Sequence, residues 1–239
     1  MFKGKVNFNL DFLERLLKSK APPLIGCDIS SSSVKFVEIV EAGKNIYRVE
    51  RYSIEPLPHD AVVDGNINNL EAVSDCLKRG WKKLGTNIKN LALALPSAAV
   101  ITKKIIVPAG QQENELELQV ETEANQYIPF ALDEVNLDFQ VLENSDPGAA
   151  DMDVLLVAVK KDIINDYLSI ISTAGLNAVV VDVDAFALEN AFELAYELDR
   201  DQVVGLVNLG AAVMNINILQ GGFSEFTRDS PLGGNRYTE

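Results

Sequence analysis

The chain of 239 residues carries 35 acidic against 21 basic side chains, a formal net charge of −14, and 47% of its residues are apolar. That is enough material for one large soluble domain or two small ones, and an acidic surface repels phosphate backbones, which excludes nucleic acid as a partner. Two cysteines without paired spacing, Cys27 and Cys76, and a single histidine, His59, exclude a disulfide framework or a structural zinc site and leave Ser–His or Cys–His hydrolysis without support.

Residues 1–22 stand apart. Leu10, Phe12, Leu13, Leu16 and Leu17 form a helical apolar stripe, Glu14, Arg15, Lys18 and Lys20 fill the other side, and Pro22-Pro23 ends it. A helix of this kind can lie on a membrane surface, dock on a partner or pack on its own domain. No apolar run reaches transmembrane length and no secretory signal pattern opens the chain, so a cytoplasmic location is expected.

Residues 24–29, 34–41 and 46–54 read as three strands, with 42–45 as a hairpin turn. Leu70, Val73, Leu77, Trp81 and Leu84 recur at helical spacing and predict a helix over 70–84, followed by a short buried strand at 91–95. Residues 98–176 read as an inserted unit of order β-α-β-β-α: strands at 101–107, 136–142 and 154–160, helices at 112–127 and 162–174, and a loop at 145–148. The β-branched run 178–183 suits a buried parallel strand, a helix follows over 185–198, and strands are predicted at 203–209, 214–219 and 223–227. The division is therefore 1–22, an N-terminal segment; 23–97 and 177–201, the two parts of a first lobe; 98–176, the insertion; and 202–239, the start of a second lobe that is expected to be truncated.

One motif occurs twice. Residues 24–35, LIGCDISSSSVK, and residues 204–215, VGLVNLGAAVMN, each run from an apolar strand through Asp or Asn, one aliphatic residue and a set of small residues into a second strand. Each reads as a hairpin with a side-chain oxygen at the tip of its first strand. Small turn residues let backbone approach a ligand, and successive N–H groups there can form an anion nest. Two such turns facing one another would clamp a polyphosphate. Asp28 at a strand end can hold Mg²⁺ or merely cap its turn. Ser30, Ser31, Ser32 and Ser33 offer backbone and hydroxyl donors, and Lys35 is either a charge for phosphate or a solvated strand lysine. Asp182 and Asp184 flank Val183 and would point to opposite faces of a continuing strand, so only one can face the cleft.

The element order resembles the actin-like ATPase fold, an α/β, ribonuclease H-like lobe. The inserted small subdomain resembles the FtsA-like branch of that superfamily. Residues 24–35, ETEANQYIPF at 121–130, VDVD at 181–184, NLGA at 208–211, FTRD at 226–229 and GGN at 233–235 are similar to the type IV pilus assembly proteins of the PilM family. The resemblance spans residues 24–239. It implies a cytoplasmic ATP-binding adaptor, peripheral to the inner membrane, that works with other pilus assembly components and serves twitching motility. Its partner would be the tail of a PilN-like membrane protein, held in a groove beside the insertion in a nucleotide-sensitive way. Any membrane association would be indirect or through the N-terminal helix. The alternatives are an FtsA-like filament protein and a slow ATPase or kinase of the same fold.

Carried onto this sequence, the resemblance makes Asp184 the cleft-facing polar residue, a second Mg²⁺ contact beside Asp28, although Asp184 can equally cap the helix that follows. Asn208, Gly210, Ala211 and Ala212 become the second phosphate contact, with Gly233 and Gly234 approaching the ATP. Two departures matter. Ser30 stands where the wider family carries Gly, so either the turn differs or strain is accepted. Asn208 stands where hydrolysing relatives carry Asp, and an amide can neither draw in Mg²⁺ nor accept a proton. Ile101, Ile105 and Phe130 on the insertion are candidates both for a partner-tail surface and for core.

Overall fold

The computed structural model describes residues 23–44, 46–142, 149–196, 199, 202–221 and 223–238; the expected N-terminal helix and the 145–148 loop lie outside them. Two compact units result, one of Ala99–Asn165 and one of Pro22–Ala98 with Asp166–Glu239.

In the larger unit, β1 (Ile25–Ile29) buries Ile25, Cys27 and Ile29 on one face. Long strands β2 (Ser33–Gly43) and β3 (Ile46–Pro56) follow, then a small hairpin of β4 (Val62–Val63) and β5 (Asn66–Ile67). The hairpin turns on Asp64 and Gly65, both with positive φ, which is the two-residue turn that an Asp-Gly pair favours. Helix α1 (Leu70–Leu84) starts where the Asn69 side chain accepts the Ala72 N–H at 3.0 Å, and it stops at Gly85, in the left-handed region.

Strand β6 (Asn90–Leu95) buries Leu91, Leu93 and Leu95, and β10 (Asn177–Val183) pairs beside it. The sheet order is β10-β6-β1-β2-β3, with β1, β6 and β10 parallel and the β1–β2 and β2–β3 pairs antiparallel. Helix α1 packs on this sheet at Gly80: a Cβ there would sit 2.9 Å from the Phe36 ring, so the aromatic fills the space that the glycine leaves. Ser53, on β3, donates to the Gly80 carbonyl at 2.7 Å in the same buried layer.

The smaller unit is a sheet of order β7-β9-β8, formed by β7 (Val100–Pro108), β8 (Val135–Val141) and β9 (Asp151–Lys160), all antiparallel. Helix α2 (Glu113–Tyr127) lays Leu116, Val120 and Ala124, one every fourth residue, onto Ile105, Val107, Val154, Leu156 and Ala158. Ile105 is core and therefore closed to a partner, while Ile101 and Phe130 are partly buried against that core.

Helix α3 (Lys161–Thr173) buries Tyr167, Ile170 and Ile171, and α4 (Asp184–Ala195) follows β10. The larger unit ends in an antiparallel sheet, β11 (Val203–Leu209), β12 (Met214–Gln220) and β13 (Phe223–Ser230), and a short 3-10 turn at Gly234–Tyr237. The expected helix over 185–198 begins one residue earlier and gives way at Tyr196 to extended backbone.

Truncating Phe36 to Ala removes the side chain on which both α1 and the sheet close. The expected loss is about 3–5 kcal/mol, read as a lowered urea midpoint; an unchanged midpoint would show that the α1 contact carries little of the core.

Candidate functional site

The repeated motif is a repeated geometry. In the first copy the Ser30 N–H donates to the Ser33 carbonyl at 3.0 Å; in the second, Gly210 N–H donates to the Val213 carbonyl at 3.0 Å, each position 180 residues after its counterpart. Asp28 lies opposite Lys35 across the first hairpin, and Asn208 lies opposite Asn215 across the second. Directly opposed residues of an antiparallel pair share a face, so both polar pairs meet. Lys35 Nζ reaches Asp28 at 2.6 Å with both side chains half-exposed, and Asn208 Nδ2 donates to Asn215 Oδ1 at 3.2 Å.

The Ser30 question is settled by a different turn. Ser30 does not have positive φ. Its hydroxyl donates to the Ser33 carbonyl at 3.0 Å and accepts the Ser33 N–H at 3.3 Å, so serine chemistry closes the turn without glycine. Ser31 is partly exposed and Ser32 exposed at the tip, and the Ser32 carbonyl accepts Leu57 N–H at 2.9 Å.

The second turn is backed by the GGN segment. Gly234 N–H donates to Gly210 O and Asn235 N–H to Ala211 O, both at 2.9 Å. Gly233 lies so close beneath that an added Cβ would sit 2.1 Å from the Ala211 carbonyl oxygen. Glycine is required here by proximity, since its φ of −117° is open to any residue. Gly233 and Gly234 thus support Gly210, Ala211 and Ala212 from behind.

Asp184 is the first residue of α4 rather than its cap, which is Val183. Its Oδ1 accepts the Ser97 N–H at 3.0 Å, the Ala185 N–H at 2.7 Å and the Ser97 hydroxyl. Its Oδ2 is 3.5 Å from Asn215 Nδ2. Asn215 gives the same amide to Asp229 Oδ1 at 2.6 Å, and Asp229 Oδ2 accepts the Ala98 N–H at 2.8 Å. The Asn208 pair and Asp184 are therefore joined through Asn215. Asp28 and Asp184 both bear on one buried phenol: Tyr167 is held well above its ordinary range, first by burial and then by those two carboxylates. Its hydroxyl donates to Gly65 O at 2.9 Å.

Burial also pushes Asp184 up, against the Ser97 hydrogen bond, with the Asp229 charge adding to the rise. Asp182 is raised to about 6 by burial, partly offset by the Val183 N–H. Burial raises Glu189 to about 7 against the Asn217 amide, which donates to it at 3.3 Å. Cys27 is fully buried and its thiol is pushed up, which makes it inert.

Among the described residues no group of three or more His, Cys, Asp or Glu could cage a metal. Asp28 and Asp184 are a hard-oxygen set of the kind that binds Mg²⁺ together with phosphate oxygens. The ammonium of Lys35 already balances Asp28, so a cation there must share that carboxylate. Ser97 and Tyr167 lie in no motif, and Asn215 and Asp229 lie in motifs that give them no role by themselves. Asn215 had the best signal, being the repeat's counterpart of Lys35.

The sequence matches the family of type IV pilus assembly protein PilM over residues 26–239, and the chain belongs to that family. It is similar to a chain of the solved PilM-PilN type IV pilus biogenesis complex, with a TM-score of 0.79 and 27% identity over 90% of its own length; it spans 63% of that chain. It shares its fold, at TM-score 0.53 and 12% identity, with the cytoplasmic domain of EpsL, an inner membrane component of the type II secretion system of Vibrio cholerae. There 87% of this chain and 71% of the other are covered. The fold is an actin-like α/β fold.

Two outcomes check the site. Replacing Gly233 by Ala drives a methyl into the Ala211 carbonyl and is expected to cost about 1–3 kcal/mol, with faster amide exchange at Gly234 and Asn235; wild-type exchange would contradict the close approach. Burial raises Glu189 to about 7 and Asp182 to about 6 in the folded chain, against ordinary values of 4.5 and 3.8. The folded chain therefore keeps protons that the unfolded chain has lost. That stabilisation is complete below about pH 4 and disappears as pH rises through about 6 to 7. Melting temperature should rise from pH 7.5 to pH 5, and less so in Glu189→Gln; equal slopes would rule out the buried carboxyl as the source.

Proposed function

We propose that this chain is a nucleotide-binding adaptor of type IV pilus assembly, acting at the cytoplasmic face of the inner membrane on the tail of a PilN-like partner. Family membership supports the assembly role. The observation that carries the nucleotide is the pair of equivalent turns, each closed by the same backbone hydrogen bond and each with a polar side chain at its strand tip.

Mg·ATP is the ligand this arrangement suits. Asp28 and Asp184 would hold the cation. Ser31, Ser32 and Lys35 would take phosphate oxygens from the first turn, which Ser30 and Ser33 close with their own donors, and Asn208, Ala211 and Ala212 from the second, with Gly210, Gly233 and Gly234 shaping it. When bound, the nucleotide supplies a compact multivalent anion whose affinity for two conformations can differ, which is all that a switch requires. Asn208 provides no carboxylate to take a proton from water, so the output of the site is conformational and any hydrolysis slow. Among the described residues no helix is long and apolar enough to cross a membrane. In this reading membrane association runs through the partner or through the N-terminal helix.

Calorimetry with Mg·ATP and with a synthetic PilN-like tail tests both halves. Asp28→Ala should weaken Mg·ATP by about tenfold or more. Tail affinity should differ between the nucleotide-free and Mg·ATP-bound protein by about 5–150-fold. Equal Mg·ATP affinity in the variant would remove the site; equal tail affinity in both states would remove the switch.

A further inference from the structure

Asp229 belongs to no expected site, yet its two carboxylate oxygens are divided between two structures. Across the β12–β13 register it lies opposite Asn215, and its Oδ1 accepts that amide at 2.6 Å. Its Oδ2 accepts the N–H of Ala98 at 2.8 Å, 131 residues away in sequence. Ala98 is the last residue before the smaller unit, which begins at Ala99. Its neighbour Ser97 is fixed by Asp184 through both N–H and hydroxyl. Two successive backbone donors at the end of β6, where a 3-10 turn opens, are thus each terminated by a carboxylate brought from another element.

These bonds form one chain. Asn208 donates to Asn215, Asn215 donates to Asp229, and Ala98 donates to Asp229. Asn215 also stands between two carboxylates, and its NH2 group donates to both, to Asp229 at 2.6 Å and to Asp184 at 3.5 Å. A continuous hydrogen-bond network of this kind is one carrier of energetic coupling between sites. We infer that Asp229 is a positioning residue: through Asn215 it ties the second turn, at Asn208, to the backbone at Ala98 from which the inserted unit departs. The nucleotide part of this relay rests on the function proposed above. When Asn208 turns its amide to a phosphate, Asn215 loses that donor, its own bonds to Asp229 and Asp184 readjust, and the hold on Ala98 changes. The ligand itself never touches Ala98.

Hydrogen–deuterium exchange on the whole protein, read at a peptide covering residues 97–102, tests the relay in two arms. Without nucleotide, Asp229→Ala should speed exchange at Ala98 by about tenfold or more, and the remote Asn208→Ala should raise it severalfold. Asp229→Asn keeps the volume at this position and, with an unchanged urea midpoint, separates the relay from unfolding. Wild-type exchange in Asn208→Ala overturns the relay whether or not any nucleotide binds. With Mg·ATP present, the wild-type peptide should change its exchange rate, and the Asp229 variants should bind Mg·ATP within about threefold of wild type by calorimetry yet lose that change. Persistence of the wild-type response in Asp229→Ala also overturns the relay. Absence of Mg·ATP binding to wild type would instead remove the nucleotide reading and leave the first arm to decide.

Discussion

Everything distinctive in the larger unit follows from one constraint, the closure of each hairpin by a backbone N–H onto the carbonyl three residues ahead. That closure fixes register, and register decides which side chains meet, because slipping by one residue would turn each strand's set to the opposite face. Asp28 and Lys35 meet in the first hairpin, Asn208 and Asn215 in the second. The same geometry is then used for different chemistry. An ion pair at a half-exposed tip keeps its charges close to water, where it contributes little to stability but remains available to a cation or an anion. An amide pair has no charge to keep solvated. An amide can both give and take a hydrogen bond, and Asn215 does both, so the second pair is built into a continuing network.

The network in turn explains how a chain of net charge −14 tolerates buried carboxylates. Asp184 stands in the first turn of α4, where the helix dipole favours its charge, and Ser97 supplies two donors. Asp229 takes one backbone and one side-chain donor. Glu189 has only the Asn217 side chain and a backbone group at Ser224 against burial and two neighbouring acids, and it is the carboxyl raised furthest toward neutrality. Burial is the first cause of the rise at Asp182, Asp184 and Glu189, and the hydrogen-bond donors around each oppose it.

Sequence reading reaches local order better than it reaches partners. The spacing of Leu70, Val73, Leu77, Trp81 and Leu84 gives the bounds of α1, and the strand at 203–209 coincides with β11, because amphipathic period and chain breakers act within a few residues. The duplicated motif is visible because its copies are alike. The β4–β5 hairpin went unread although Asp64-Gly65 was its signal; its strands are two residues each, too short for alternation to register. Ser30 illustrates the limit from another side: a preference for glycine predicts strain only if the turn is the same, and a hydroxyl that bonds within its own turn changes the turn. The roles of Ser97, Tyr167 and Asp229 could not be read from motifs, since their meaning lies in bonds to residues 87, 102 and 131 positions away.

Those long-range bonds share a location. The chain passes between its two units twice, after Ala98 and after Asn165. At the first crossing Ser97 and Ala98 are fastened by Asp184 and Asp229. Just beyond the second, Tyr167 is tied to Gly65 and lies within the field of Asp28 and Asp184. Each crossing is therefore anchored inside the larger unit by groups that contact or sense Asp184, joined by Asp229 at the first and by Asp28 at the second. A ligand that changes the charge on those acids alters the surroundings of both anchors at once.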